Sequence, residues 1–431
     1  MLLTFTVTNF KSIRDPQTLS MVGTSLRGPH APREIEYPGG QNGVLPCAII
    51  YGANASGKSN ILDAFMHMKF LVQVSHQEKV RNKGISFSPY LLDPAYAEKP
   101  TEFEVSFLRD KVRYDYGFSH DAEAVVSEWL YAYPEGRRRK LFERDGKNID
   151  FGSGMRGAKK ILATFLTKTS LFLSVASQNS HEELGAVSNF FEDIFSLNRI
   201  SVASTIINQS FSNGEVDLRA IKFLEAIGSG VCDFRVDAND IPEEQKKVVG
   251  EVVKILAAYQ GLEPSQELPE IDDKEYEVRL GHRSKDGASI YFAGKQESAG
   301  TRRLLLMMNY IFKVLDEGDI AVIDEIDASL HTFAVEAILM LFVDPRINMK
   351  GAQLIATTHD TNLLNTSNLR RDEIWFAEKN ITGESEYFAL SEIKARREEA
   401  IEKSYLQGRY GATPPKLPAE VFITSSSGEM E

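Results

Sequence analysis

The chain has 431 residues, of which 42% are hydrophobic, and a formal net charge of −12. That length allows two or three domains around a large core, and that composition excludes a disordered chain. The charge argues against a protein that coats nucleic acid over its whole surface, although it leaves room for a local basic groove, particularly one made by a dimer.

Leu3, Phe5 and Val7 alternate with Thr4, Thr6 and Thr8, which predicts a half-buried strand and not a secretory signal. Asn9-Phe-Lys-Ser-Ile13 turns away, and residues 24–43, rich in Gly, Pro and charge, read as a loop. Ala48-Ile-Ile50 is a short apolar run that reads as a buried strand. It leads into Gly52-Ala-Asn-Ala-Ser-Gly57-Lys58-Ser59, which fits the P-loop pattern G-x-x-x-x-G-K-[ST]. Ile61, Phe65, Met68 and Val72 then recur at helical spacing, so a helix starts near Lys58. Strand, glycine-rich loop and helix are what phosphate binding needs. The glycines let successive N–H groups face phosphate oxygens, and the helix N-terminus adds partial positive charge. Gly52, Asn54, Ser56, Gly57, Lys58, Ser59 and Asn60 are therefore the candidate nucleotide-binding residues. Lys58 is expected to reach the β- and γ-phosphates of ATP, and the Ser59 hydroxyl to hold Mg²⁺.

Residues 76–100 are polar and carry prolines. Phe103, Val105 and Phe107 form one alternating run, and Val112, Tyr114, Tyr116 and Phe118 another, with Arg109-Asp110 between them. This predicts an antiparallel hairpin, with 125–133 as a third strand. Gly136-Arg-Arg-Arg-Lys140 is a basic loop, read as a solvated hairpin tip or a nucleic-acid contact. From about Gly157 the pattern turns helical, with Ile161, Leu162, Phe165, Phe190, Phe191 and Ile194 as its apolar positions; a further helix is expected over 243–260. Residues 151–285 thus read as a mostly helical insertion or arm, without the sustained heptads of a coiled coil. Cys47 and Cys232 make no disulfide framework or metal cluster and read as small core residues. With no apolar run of the roughly 18 residues needed to span a bilayer, the expected location is cytoplasmic, away from membranes.

Gly318-Asp-Ile-Ala-Val-Ile-Asp324-Glu325 is an apolar strand ending in two carboxylates, a Walker B pattern. Asp324 can reach the Mg²⁺ shell, and Glu325 can orient or deprotonate the attacking water. Gly351-Ala-Gln-Leu-Ile-Ala-Thr-Thr-His359 is a second buried strand, ending in a histidine that can bond a γ-phosphate or be a capping or core histidine. Glu325, Lys58 and His359 are the catalytic candidates; Ser59 and Asp324 are those for the metal. Ser298-Ala-Gly300 opens a helix over Leu304–Val314, which suits either a phosphate or a plain N-cap.

The order of P-loop, large insertion, serine/glycine signature, Walker B and switch histidine resembles the ABC-type ATPase heads, among them the SMC and OLD heads. The segments TNFKSI, GANASGKSN, ESAGT, IDEIDASLH and Ser404-Tyr-Leu-Gln-Gly-Arg-Tyr-Gly-Ala412 are similar to the compact prokaryotic "AAA family ATPase" group, which includes RloA-like and abortive-infection defence ATPases. The resemblance covers residues 1–75 and 290–412 well and the middle poorly, with no Q-loop glutamine assigned. It implies an α/β P-loop NTPase of ABC-ATPase type: a mixed sheet core, an antiparallel β subdomain and a helical insertion. The expected units are an N-terminal ATPase lobe (1–150), the insertion (151–285), a second ATPase lobe (286–390) and a C-terminal docking segment with a tail (391–431). It further implies homodimers, or higher oligomers, of heads that close around ATP. Ser298 and Gly300 would then bind the partner's γ-phosphate, and Asp327 would lie in a D-loop at the interface.

The function this implies is a slow ATP-driven switch controlling a separately encoded effector, a nuclease being one form, in anti-phage defence. Two other readings stay open. One is a DNA-repair head that loads on nucleic acid; the other is an OLD-like nuclease, for which the 72 residues after His359 are too few to hold a Toprim domain.

Overall fold

In the computed structural model the described residues are 1–35, 40, 42–77, 84–197, 216–240, 274–365, 368–393 and 400–413. Among the described residues eight strands precede residue 152: β1 (Leu2–Thr8), β2 (Gln17–Ser20), β3 (Cys47–Tyr51), β4 (Thr101–Arg109), β5 (Val112–His120), β6 (Val125–Tyr133), β7 (Arg139–Asp145) and β8 (Asn148–Phe151). All but β3 join one antiparallel sheet in the order β2-β1-β4-β5-β6-β7-β8. The expected hairpin is β4–β5. Its turn residues Asp110 and Lys111 both take positive φ, 50° and 64°, a turn whose twist matches that of the flanking strands.

The second sheet is assembled from distant parts of the chain: β3, β9 (Ile194–Ser196), β13 (Ile320–Ile323), β14 (Gln353–Thr357), β15 (Ile374–Lys379) and β16 (Ser385–Ala389). Its order is β16-β15-β3-β14-β13-β9. Every pairing is parallel except β15–β16, so the sheet is mixed. Its short strands are continuously apolar because both faces are covered. Ala48, Ile50, Ile320, Val322 and Ile355 face one core; Cys47, Ile49, Ala321, Ile323, Leu354 and Ala356 face the other.

The first core lies between the two sheets and holds the helix after the P-loop, α1 (Lys58–Val74), with α2 (Phe172–Gln178) and α3 (Glu182–Glu192). Phe5 of β1 meets Phe65 of α1 with ring centroids 4.9 Å apart. The buried Gln353 side chain ties the sheets together, accepting from Leu2 N at 2.6 Å and donating to Leu2 O at 3.0 Å. The second core holds α4 (Leu218–Ala226), α5 (Ala299–Glu317), α6 (Thr332–Val343) and α7 (Ile401–Leu406).

Two expectations change here. The stretch 151–285, expected to be mostly helical, also carries β9, β10 (Val231–Asp240) and β11 (Lys274–Arg283); the last two form a three-stranded antiparallel sheet with β12 (Ser289–Ala293). The reason is period-two patterning: Cys232, Phe234 and Val236 alternate with Asp233, Arg235 and Asp237. The helix expected over 243–260 lies outside the described residues. Of the C-terminal segment, expected to be a docking element, the described residues 400–413 instead pack on their own head: Tyr405, Tyr410 and Ala412 are buried in the second core. Its aromatic side chains have more to gain from the apolar face of β15 than from water. Residues 394–399 and 414–431, which include the expected tail, lie outside the described residues. Among the described residues no helix is long and apolar enough to cross a membrane.

Candidate nucleotide site

The carboxyl ends of β3, β13 and β14 lie side by side, which brings the P-loop, the Walker B acids and His359 to one edge of the sheet. Gly57 is the N-cap of α1 with φ 101°, a left-handed conformation that favours glycine. A Cβ there would come within 2.8 Å of Ser385 Cβ. Lys58 is buried, and its Nζ donates to Gly52 O at 2.7 Å and Ala53 O at 2.9 Å. These two bonds curl the lysine over the loop and leave one ammonium N–H for a further acceptor. Burial lowers its pKa, while Asp324, Glu325 and Asp327 act in the opposite direction.

Asp324 and Ser59 are brought together. Ser59 Oγ donates to Asp324 Oδ1 at 3.0 Å, and Thr357 Oγ1 from β14 donates to the same oxygen at 2.6 Å. A hydroxyl and a carboxylate oxygen in contact are the hard donors that suit Mg²⁺. Glu325 has φ 51°, which costs a non-glycine residue on the order of 1–3 kcal/mol. Its amide donates to Thr357 Oγ1 at 2.7 Å, and its carbonyl accepts from Ala328 N at 2.9 Å and Arg303 Nη2 at 2.6 Å. The carboxylate is thereby turned outward, more than half exposed, with Oε1 4.0 Å from His359 Nε2. The His359 amide donates to the Asp327 carboxylate at 3.2 and 3.3 Å, so Asp327 is tied to the backbone after β14.

Ser298 has a use within its own chain. It caps α5, accepting from Thr301 N at 3.0 Å. Gly300 also has one, since a Cβ there would come within 2.8 Å of Ser329 O. Both border a groove of about 750 Å³ between α4, α5 and α6, where Phe333 is 71% exposed. His331 is the N-cap of α6.

Sequence reasoning missed the residues that seat the loop. Asn60 Nδ2 donates to Ser12 Oγ at 2.6 Å, Ser12 Oγ lies 2.6 Å from Ser385 Oγ, and Ser385 Oγ donates to Ser56 O at 2.7 Å. Tyr387 OH donates to Gly57 O at 2.6 Å. Ser12 belongs to the TNFKSI segment, whose presence was the available signal; Ser385 and Tyr387 carried none, because adjacency to β3 is set by topology. Asn54 and Ser56 lie in the loop itself, and Asn60 braces it through Ser12.

A phosphate loop at the end of a central parallel strand, with the Walker B acids two strands away across β14, defines a P-loop NTPase of ABC type. More specifically, the chain belongs to the family described as "AAA domain, putative AbiEii toxin, Type IV TA system", whose model matches residues 47–152 and 234–365, more than half of the chain. Among solved structures, one titled "Crystal structure of the SmcHead bound to the C-winged helix domain of ScpA" is similar to it over 90% of this chain and 97% of the other, at 15% identity and a TM-score of 0.36. No curated protein matches the chain.

Proposed function

We propose that this chain binds ATP with Mg²⁺ and hydrolyses it slowly, two heads closing around the nucleotide, and that this cycle switches a separately encoded effector in anti-phage defence. The observation that carries the reading is the meeting of Ser59, Thr357 and Asp324, with Glu325 held outward beside them. Lys58 offsets phosphate charge. Ser59 and Asp324 would hold the Mg²⁺, which when bound neutralises charge on the β- and γ-phosphates. Glu325 takes a proton from the water whose oxygen bonds the γ-phosphorus as the bond to the β–γ bridging oxygen breaks, giving ADP and phosphate. Ser298 and Gly300 would present α5 to the partner's nucleotide. The resemblance to abortive-infection ATPases supports the defence setting.

The DNA-loading alternative gains nothing from the basic loop: Arg138 stacks on Tyr131, Arg139 pairs with Glu183 and Lys140 with Asp150. The test is ATP turnover and light scattering of wild type, Lys58→Ala and Glu325→Gln. Wild type should hydrolyse slowly and Lys58→Ala should not bind. Glu325→Gln should bind, lose roughly 10²-fold or more in turnover, and accumulate as a dimer with ATP. Unaltered turnover in Glu325→Gln, or ATP-independent monomers throughout, sinks the reading.

A further inference from the structure

We propose that Arg303 is a positioning residue that ties the signature helix α5 to Glu325 of the same chain, and so couples the two composite sites of a closed pair of heads. This rests on the two-headed reading above.

The first turns of α5 touch the segment after β13 at two points. Gly300 lies against the Ser329 carbonyl so closely that a side chain would not fit without a shift. One turn further on, Arg303 Nη2 donates to the Glu325 carbonyl at 2.6 Å. Glu325 is the residue whose backbone is left-handed there. Its amide is held from β14 through Thr357 and its carbonyl by the local turn through Ala328. Among the described residues the bond from Arg303 is the one that arrives from another helix, and it reaches the peptide that sets where the Glu325 carboxylate points.

The electrostatic setting makes the choice of acceptor informative. Asp324, Glu325 and Asp327 all lie close enough to favour the charged guanidinium, against the burial that disfavours it. Yet its hydrogen bond goes to a main-chain carbonyl rather than to a carboxylate. A guanidinium in that place fixes backbone geometry while leaving the Glu325 carboxylate for water. In a closed pair, α5 would act on the partner's nucleotide, whereas Glu325 acts on its own. A shift of α5 on meeting that nucleotide would therefore reach Glu325 of the same chain through Arg303.

The test uses the full chain with Arg303→Met, which keeps length, and Arg303→Lys, which restores one donor. Arg303→Met should lower kcat between about 10- and 100-fold, the scale of a displaced catalytic group, with KM changed less than twofold and Arg303→Lys recovering part of the loss. Mixed dimers assign the direction. With Glu325→Gln in one subunit, only the other hydrolyses. Arg303→Met should slow turnover when placed in the chain with the working Glu325, and not when placed in the Glu325→Gln chain. The reverse pattern would make Arg303 a support of the signature and overturn the proposal.

A second readout needs no nucleotide: hydrogen exchange at the Glu325 and Ala328 amides should quicken in Arg303→Met. Unchanged exchange overturns the positioning role whether or not the protein hydrolyses ATP. Absent wild-type turnover with quickened exchange would instead count against the ATPase reading alone.

Discussion

Tyr405 lies flat against Phe376, ring centroids 5.2 Å apart and planes 16° from parallel, while Tyr51, the last residue of the P-loop strand, meets the same tyrosine edge-on at 6.4 Å. The segment around Tyr405 is thus part of the core beneath that strand's sheet. Tyr405→Ala should cost about 3 kcal/mol, as large-to-small aromatic changes in cores do. A chain ended after Lys403 should melt lower and aggregate. Urea denaturation of both variants checks this; unchanged stability would return the segment to a docking role.

Gly57→Ala should abolish nucleotide binding while leaving the fold intact. The substitution meets two obstacles, a φ of 101° and the Ser385 side chain, and each displaces the loop that must face phosphate. Titration with a fluorescent ATP analogue should show at least a tenfold loss of affinity. The relevant comparison is Ser385→Ala, which removes the brace to Ser56 but keeps the glycine and should bind more weakly than wild type and better than Gly57→Ala.

Stability should fall on acidification from about pH 6.5. His67 on α1 packs beside His120, ring centroids 5.7 Å apart, among Phe10 and Phe103. Burial, then the neighbouring His120, lowers the pKa of His67 to about 4, and burial lowers that of His120. The unfolded chain takes up these protons near pH 6.5 and the folded one does not. Stability is therefore full above pH 6.5 and lost as pH falls toward 4, by roughly 1.4 kcal/mol per unit for His67 alone. Urea midpoints at pH 7, 6 and 5 measure the slope, and His67→Phe should flatten it. An equal slope in that variant would place the acid sensitivity elsewhere.

Lys58→Ala and Ser298→Arg should each inactivate a homodimer, yet their mixture should regain ATPase activity. The mixed pair contains one site with both an intact P-loop and an intact signature. Ser298→Arg also removes the cap of α5, worth about 1 kcal/mol, so its melting point must be measured alongside. Mixtures that never recover would argue against nucleotide held between heads.

The layout of the candidate site was legible where a short apolar strand ends in polar residues: Ile50 before the P-loop, Ile323 before Asp324 and Glu325, Thr357 before His359. Those runs announce burial on both faces, and the polar residues just beyond them mark the edge where the site lies. Strand order was not legible, because no periodicity tells β3 that β14 and β15 flank it. That is why Ser385 and Tyr387 were missed as partners of the loop. The alternation in β10 was present in the sequence but lay among acidic residues that resemble a loop. Tyr405 and Tyr410 were misread for a related reason: aromatic residues suit an interface and a core alike, and only the position of Phe376 decides between them.

The pairing of Ser12 with Ser385, 373 positions apart, also bears on how the protein is made. At about 5–20 residues per second, synthesis leaves the P-loop strand waiting tens of seconds for its neighbours. Until then Cys47–Tyr51 is an apolar strand with open edges, the kind of segment that invites aggregation or a chaperone. The loop is seated only when residues 385–387 arrive, so a nascent or prematurely ended chain should not compete for ATP or enter a pair of heads. Chains stalled on ribosomes before and after residue 390 should differ sharply in retention of the fluorescent ATP analogue; equal retention would show that the loop seats without its last strand.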